Sequence, residues 1–144
     1  MKKLLTYITL ASVASLLFSC DIDVADNGKL DGFWKLSSID TLQRGTVDVM
    51  DQRLFWSVQA DLLYMQDLDH EDAFIFRFDH AGDTLHVHHP YINDKRRGDV
   101  PLSSPDSLRL FGLHALSESY VIEYLSHNHM RLRSPDYRLH FRKF

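Results

Sequence analysis

The sequence predicts an all-β fold: an eight-stranded antiparallel up-and-down meander barrel with one short helix in its long connection. Three observations carry this. Apolar and polar residues alternate with period two through most of the chain beyond residue 30, as in strands with one dry and one wet face. The stretches between these runs are short and rich in turn residues. Eight short strands joined mostly by hairpins then call for closure, because a closed barrel has no free edge to aggregate.

The chain opens with Lys2-Lys3, an apolar run from Leu4 to Phe18, then Ser19 and the only cysteine, Cys20. A basic start, a short apolar core and a small residue form a secretory signal, and the core is shorter than the roughly 20 residues a membrane-spanning helix needs. With cysteine next in line, the segment resembles a bacterial lipoprotein signal. That resemblance implies a signal peptide over 1–19 and Cys20 as the diacylated first residue of the mature protein. Two buried acyl chains turn marginal membrane binding into lasting attachment, at about 0.8 kcal/mol per methylene. Residues 20–30, with Asp21, Asp23, Asp26, Asn27 and Gly28, read as a flexible acidic tether. Residues 31–144 form one small domain.

The full chain carries 16 Lys plus Arg, 20 Asp plus Glu and a net charge of −4. Without Lys2 and Lys3 the balance is 14 against 20, a net of −6, which argues against nucleic acid or anionic headgroups as general partners. With its only thiol acylated, the domain has no disulfide and relies on packing and hydrogen bonds.

The strands read Phe33–Asp40, Leu54–Gln59, Leu62–Gln66, Ala73–Asp79, Thr84–His89, Glu118–Ser126, Met130–Ser134 and Tyr137–Lys143. The second and third are divided at Ala60-Asp61, the weakest turn signal. His80-Ala81-Gly82-Asp83, Ser126-His127-Asn128-His129 and Ser134-Pro135-Asp136 are hairpin-sized. Alternation points Trp34, Leu36, Trp56, Val58, Phe74, Phe76, Phe78 and Leu85 inward. Val87, Tyr120, Ile122, Met130, Leu132, Tyr137, Leu139 and Phe141 follow in the same phase. Pro90 to Ser117 is too long for a hairpin. Within it, Ser104-Pro105 looks like an N-cap and first helical position, and Gly112 like a stop, giving a helix from about Pro105 to Phe111.

Several features together resemble the small lipocalin-like, calycin-type domain of envelope lipoproteins. These are Leu30-Asp31-Gly32-Phe33-Trp34-Lys35-Leu36, the Gly82-Asp83-Thr84-Leu85 hairpin and the ending Arg138-Leu139-His140-Phe141-Arg142-Lys143. The resemblance implies that Gly32 and Trp34 belong to the barrel floor, with a late basic residue, here Arg142, covering the tryptophan from outside. The further turn motifs of true lipocalins have no clear counterpart, which argues against transport of a retinoid-like ligand.

An eight-stranded barrel is just wide enough to be filled by its side chains or to hold one small ligand. Trp56, Phe76 and Tyr120 inside, and Leu108 and Phe111 on the helix, are the candidate ligand or lid residues. Among nine histidines, His86 and His88 leave the same strand face, yet a zinc site needs three or four ligands and these two point to solvent. Asp67, Asp69, Glu71 and Asp72 form an acidic turn without the spacing of a known calcium loop. Lys95-Arg96-Arg97 is a basic knuckle. No Gly-x-Ser-x-Gly, His-Glu-x-x-His or phosphate-binding glycine loop occurs, so neither an enzyme nor a cofactor is expected. Two functions remain. The first is a membrane-tethered, non-catalytic module binding a small apolar ligand near the Pro90–Ser117 connection. The second is a filled barrel serving as an interaction or accessory subunit of an envelope assembly. The expected location is the cell envelope, at the outer membrane in preference to the inner, on a periplasmic or a surface face.

Overall fold

The structure, a computed structural model, describes residues 26–144; Cys20, the signal and most of the tether lie outside them. A short 3-10 turn, Gly28–Leu30, leads into ten strands. These are β1 (Gly32–Thr41), β2 (Gly45–Asp48), β3 (Leu54–Gln59), β4 (Leu62–Asp67), β5 (Asp72–Ala81), β6 (Thr84–Asp94), β7 (Gly98–Pro101), β8 (Glu118–Leu125), β9 (His129–Arg133) and β10 (Tyr137–Lys143). Eight of them form a ring in the order β1-β3-β4-β5-β6-β8-β9-β10, closed by antiparallel pairing of β10 with β1. This is the expected barrel, and all eight anticipated strands are present.

The two extra strands are overhangs. β1 pairs with β3 along Gly32–Lys35 and then with β2 along Ser38–Thr41. β6 does the same, pairing with β8 along Thr84–Val87 and with β7 along Tyr91–Asp94. The first part of Pro90–Ser117 is therefore a hairpin and not a long connection. Its tip is the Lys95-Arg96-Arg97 knuckle, where the Asp94 carboxylate accepts the Arg96 N–H at 2.8 Å and Gly98 takes φ 80°. Every residue of β2 and β7 is exposed.

Inside the ring, Trp34, Leu36, Trp56, Leu63, Met65, Phe76, Leu85, Val87, Leu132 and Leu139 are fully buried. Phe78, Ile122 and Tyr137, expected inward, are only partly buried at its margins. Burying a side chain of this size contributes about 1.5–3 kcal/mol each, so this one cluster dominates the fold. The helix is a 3-10 segment, Asp106–Phe111, stopped by Gly112 at φ 85°. A Cβ on Gly112 would come within 2.4 Å of Leu139 Cδ2, so only glycine lets the helix end lie against β10.

Candidate functional site

The floor is built from the first strand. The Trp34 indole N–H donates to the Leu30 carbonyl at 2.8 Å, which fixes the Gly28–Leu30 turn beneath the barrel. Trp34 stands opposite Lys143 in the β1–β10 register, and the Lys143 ammonium lies 4.6 Å from the indole centroid. The Lys143 stem also fills the space over Gly32, where a Cβ would come within 2.4 Å of Cε. The basic residue over Trp34 is thus Lys143 and not Arg142, whose side chain is exposed. The reason is phase. Leu139 and Phe141 point inward, and the next residue in that phase is Lys143, which keeps its charge at the rim while its stem covers the floor.

The interior brings the candidate ligand residues together as a packed core. Trp56 stands edge-on to Tyr120 at 5.8 Å between ring centroids and tilted against Phe141 at 5.0 Å. Phe111 meets Phe74 edge-on at 5.9 Å. Trp56, Phe76, Tyr120, Leu108 and Phe111 are all at most 1 % exposed. The helix is therefore an inserted plug, with Leu108 and Phe111 in the core and Leu110 alone among its apolar residues left exposed. Tyr120 holds it: burial, then the Glu118 carboxylate, push its phenol well above the ordinary value, and the O–H donates to the Gly112 carbonyl at 3.0 Å. One interior group is left over. The buried Trp56 indole N–H has no hydrogen-bond partner among the described residues.

Open space lies on the outside of the barrel. A groove of about 630 Å³ runs between the β1–β2 ribbon and β8–β10, lined by Ser38, Thr46, Asp48, Met50, Tyr124, His129, Arg131 and His140. Two bulges shape it. The extra residue in β1 is Ser37, whose hydroxyl donates to the His140 carbonyl at 2.8 Å. The extra residue in β8 is Glu123, which is turned toward three arginines. Arg138 grips it with two bonds, at 2.7 and 3.0 Å, and Arg131 and Arg133 approach to 3.0 Å each. The Arg138 guanidinium, above all through its hydrogen bond, holds the Glu123 carboxyl below its ordinary range, and the Glu123 carboxylate raises Arg138 in turn. Beside the groove, Asp40 is held low chiefly by its bond to the lining residue His140, 2.8 Å away.

The remaining sequence candidates are accounted for. His86 and His88 leave the barrel on the outside, half-buried. Asp67 is buried and caps the β4–β5 turn, accepting the Asp69 N–H at 2.9 Å and facing His70 Nδ1 at 2.6 Å. Asp69 pairs with Arg53. Among the described residues no three His, Cys, Asp or Glu side chains are grouped to hold a metal ion. The sequence reading missed Lys143, which its own phase rule placed inward, and the Glu123 and Asp40 partners, which lie on strands distant in the chain.

A closed antiparallel barrel with a plugged interior and a tryptophan floor defines a small binding scaffold of the lipocalin type. The lipocalin-like domain family matches residues 15–144, and the chain belongs to it. No curated protein matches. Among solved structures, the chain is similar to a lipocalin-like protein from Bacteroides uniformis ATCC 8492, with 22 % identity, a TM-score of 0.61 and coverage of 81 % of this chain and 100 % of that one. An uncharacterized protein from Bacteroides eggerthii DSM 20697 matches at 14 % identity and TM-score 0.59, covering 79 % of this chain and 98 % of that one. The likeness establishes the fold.

Proposed function

We propose that this chain is a lipid-anchored, non-catalytic binding module of the cell envelope whose protein partner docks on the outside of a filled barrel, in the groove between the β1–β2 ribbon and β8–β10. The observation that supports this is the plugged interior: Leu108 and Phe111 are fully buried and the aromatic side chains pack on one another across the barrel. The groove offers hydroxyls, imidazoles and a guanidinium around the partly apolar Met50 and Tyr124, a mixed surface of the kind that protein interfaces use.

A second reading, a small ligand inside the barrel, is favoured by one observation, the buried Trp56 N–H without a partner. A buried donor left unpaired costs about 1–3 kcal/mol, which a ligand acceptor or an ordered water would recover. Photo-crosslinking in cells from position 124, in the groove, and from position 110, away from it, separates the two. A discrete protein adduct from position 124 alone supports the external site. Absence of that adduct, together with a small molecule retained in native mass spectra of the detergent-extracted lipoprotein, overturns it in favour of the interior.

A further inference from the structure

Period two places His88 and His89 on opposite faces of β6. The register does not allow it. Ile75 pairs with Tyr91 and Arg77 with His88, so β6 takes three steps where β5 takes two. This is a β-bulge, a device that re-aims side chains. His89 sits in it at φ 51°, a left-handed conformation uncommon for a residue with a Cβ. Backbone strain of this kind gathers at functional sites. The result is that the two adjacent imidazoles converge, with Nδ1 atoms 2.5 Å apart and ring planes at 78°.

The other side of the His88 ring is also fixed. Its Nε2 lies 3.0 Å from Asp79 Oδ2. A carboxylate accepts, so Nε2 carries the hydrogen and Nδ1 presents its lone pair to His89. His86 stacks on His88 at 5.1 Å, with its two nitrogens facing the hydroxyls of Ser119 at 2.7 Å and Ser117 at 3.2 Å. It braces the pair from the side. A cavity of about 520 Å³ opens beside the two rings, with Tyr91, Asp99 and Arg77, the last paired with Asp61, in its wall.

We propose that His88 and His89 form a surface site for a divalent transition-metal ion of the Zn²⁺, Cu²⁺ or Ni²⁺ class, bound through both Nδ1 atoms. Imidazole suits these ions, and a carboxylate behind a ligating histidine is the usual means of fixing its tautomer, here Asp79. Metal–nitrogen distances of about 2.0–2.1 Å at tetrahedral angles put the two nitrogens roughly 3.3 Å apart, so the rings need to part by less than about 1 Å and the exposed His89 ring to turn until both lone pairs meet at the ion. The Nδ1 hydrogen of His89 moves to its own Nε2 through solvent, and the metal takes its place. No third side-chain ligand joins the pair among the described residues. The remaining coordination positions face the cavity and are filled by water or by a donor group from outside.

The test uses the full chain purified in detergent. Ni²⁺ or Cu²⁺ added to the wild-type protein is expected to broaden the ring signals of His88 and His89 first and most strongly in the NMR spectrum. Zn²⁺ calorimetry is expected to show one saturable site that His88→Ala and His89→Ala each abolish. Asp79→Asn is expected to weaken it about tenfold, on the scale of outer-shell changes, and His86→Ala to retain it. The wild-type broadening needs no variant and decides the matter even where a variant fails to fold. Broadening centred on other histidines, no saturable Zn²⁺ binding, or a folded His89→Ala that binds like wild type overturns the proposal.

Discussion

The Lys143 ammonium lies 4.6 Å from the centre of the Trp34 ring, and the two residues face each other in the β1–β10 register. One lysine thereby does two jobs. Its stem fills the gap that Gly32 leaves by lacking a Cβ, and its charge meets the indole face. A cation over an indole contributes about 0.5–2 kcal/mol, the larger value where water is excluded. The burial of Trp34 itself is worth more. The floor is therefore a hydrophobic element capped by a charge, and the two parts separate in mutants.

Trp34→Ala is expected to destabilise the domain by about 3–5 kcal/mol, as other large-to-small core changes do. Lys143→Ala is expected to cost about 1–2 kcal/mol through lost packing and the lost cation contact. Arg142→Ala, on an exposed side chain, should stay within about 0.5 kcal/mol of wild type. Urea denaturation of the three variants checks the order. A larger cost for Arg142 than for Lys143 would mean that the floor is assembled differently.

Phe111→Ser and Leu108→Ser should each lower stability by about 3–5 kcal/mol, since both side chains are fully buried. No folded variant with an isolated binding defect is expected, because the helix is part of the core. Thermal melts paired with the crosslinking readout decide this. A variant that melts normally yet loses its adduct would restore the helix to the role of a lid.

Eight strands were legible because a barrel wall has a dry and a wet face, and alternation records that directly. β2 and β7 were not. They overhang the ring with both faces wet, so Gly45-Thr46-Val47-Asp48 and Gly98-Asp99-Val100-Pro101 carry no alternation to read. The only trace was turn chemistry, in Gly45 at φ 89° and Gly98 at φ 80°. The floor was legible as far as Trp34. The basic residue was assigned one position early because a lysine in the inward phase looks wrong until its stem is seen to lie along the floor. Bulges at Ser37, Glu123 and His89 leave no signature in one sequence, because each depends on how two strands register. The Glu123–arginine cluster and the His88–His89 pair rest on such bulges. Asp40 with His140 rests on pairing between strands distant in the chain, whereas the Asp67–His70 turn is local.

Acid should weaken the domain through Glu123. Its carboxyl is held below the ordinary value of 4.5, first by the Arg138 hydrogen bond and then by the nearby guanidinium charges. A folded-state value below the unfolded one gives stability that is fully present above about 4.5 and lost as pH falls through the depressed value. Asp40, lowered from 3.8 chiefly by His140, adds to the loss at still lower pH. His70 runs the other way: its bond to Asp67 raises it above 6.5, so its contribution is present below that pH and fades as pH rises through the raised value. Glu123→Gln should cost about 1–2 kcal/mol near neutrality, the range for hydrogen bonds to charged groups after solvent screening. It should also flatten the acid limb of stability against pH. An unchanged limb in that variant would place the acid sensitivity elsewhere.

Membrane attachment should depend on Cys20 alone. The residue follows a short apolar run and Ser19, and it is the only thiol in the chain. No helix among the described residues is long and apolar enough to cross a bilayer. If two acyl chains carry the anchor, their many buried methylenes at about 0.8 kcal/mol each outweigh anything the acidic domain surface could offer to an anionic membrane. Cys20→Ala should therefore abolish labelling by a clickable fatty acid and release the protein from washed membranes. The released domain should keep its fold, since the barrel, its floor and its plug are complete within residues 28–144. Protease shaving of whole cells carrying the wild-type protein then separates a surface-facing domain from a periplasmic one. Membrane retention of Cys20→Ala at wild-type levels would rule out lipidation as the anchor.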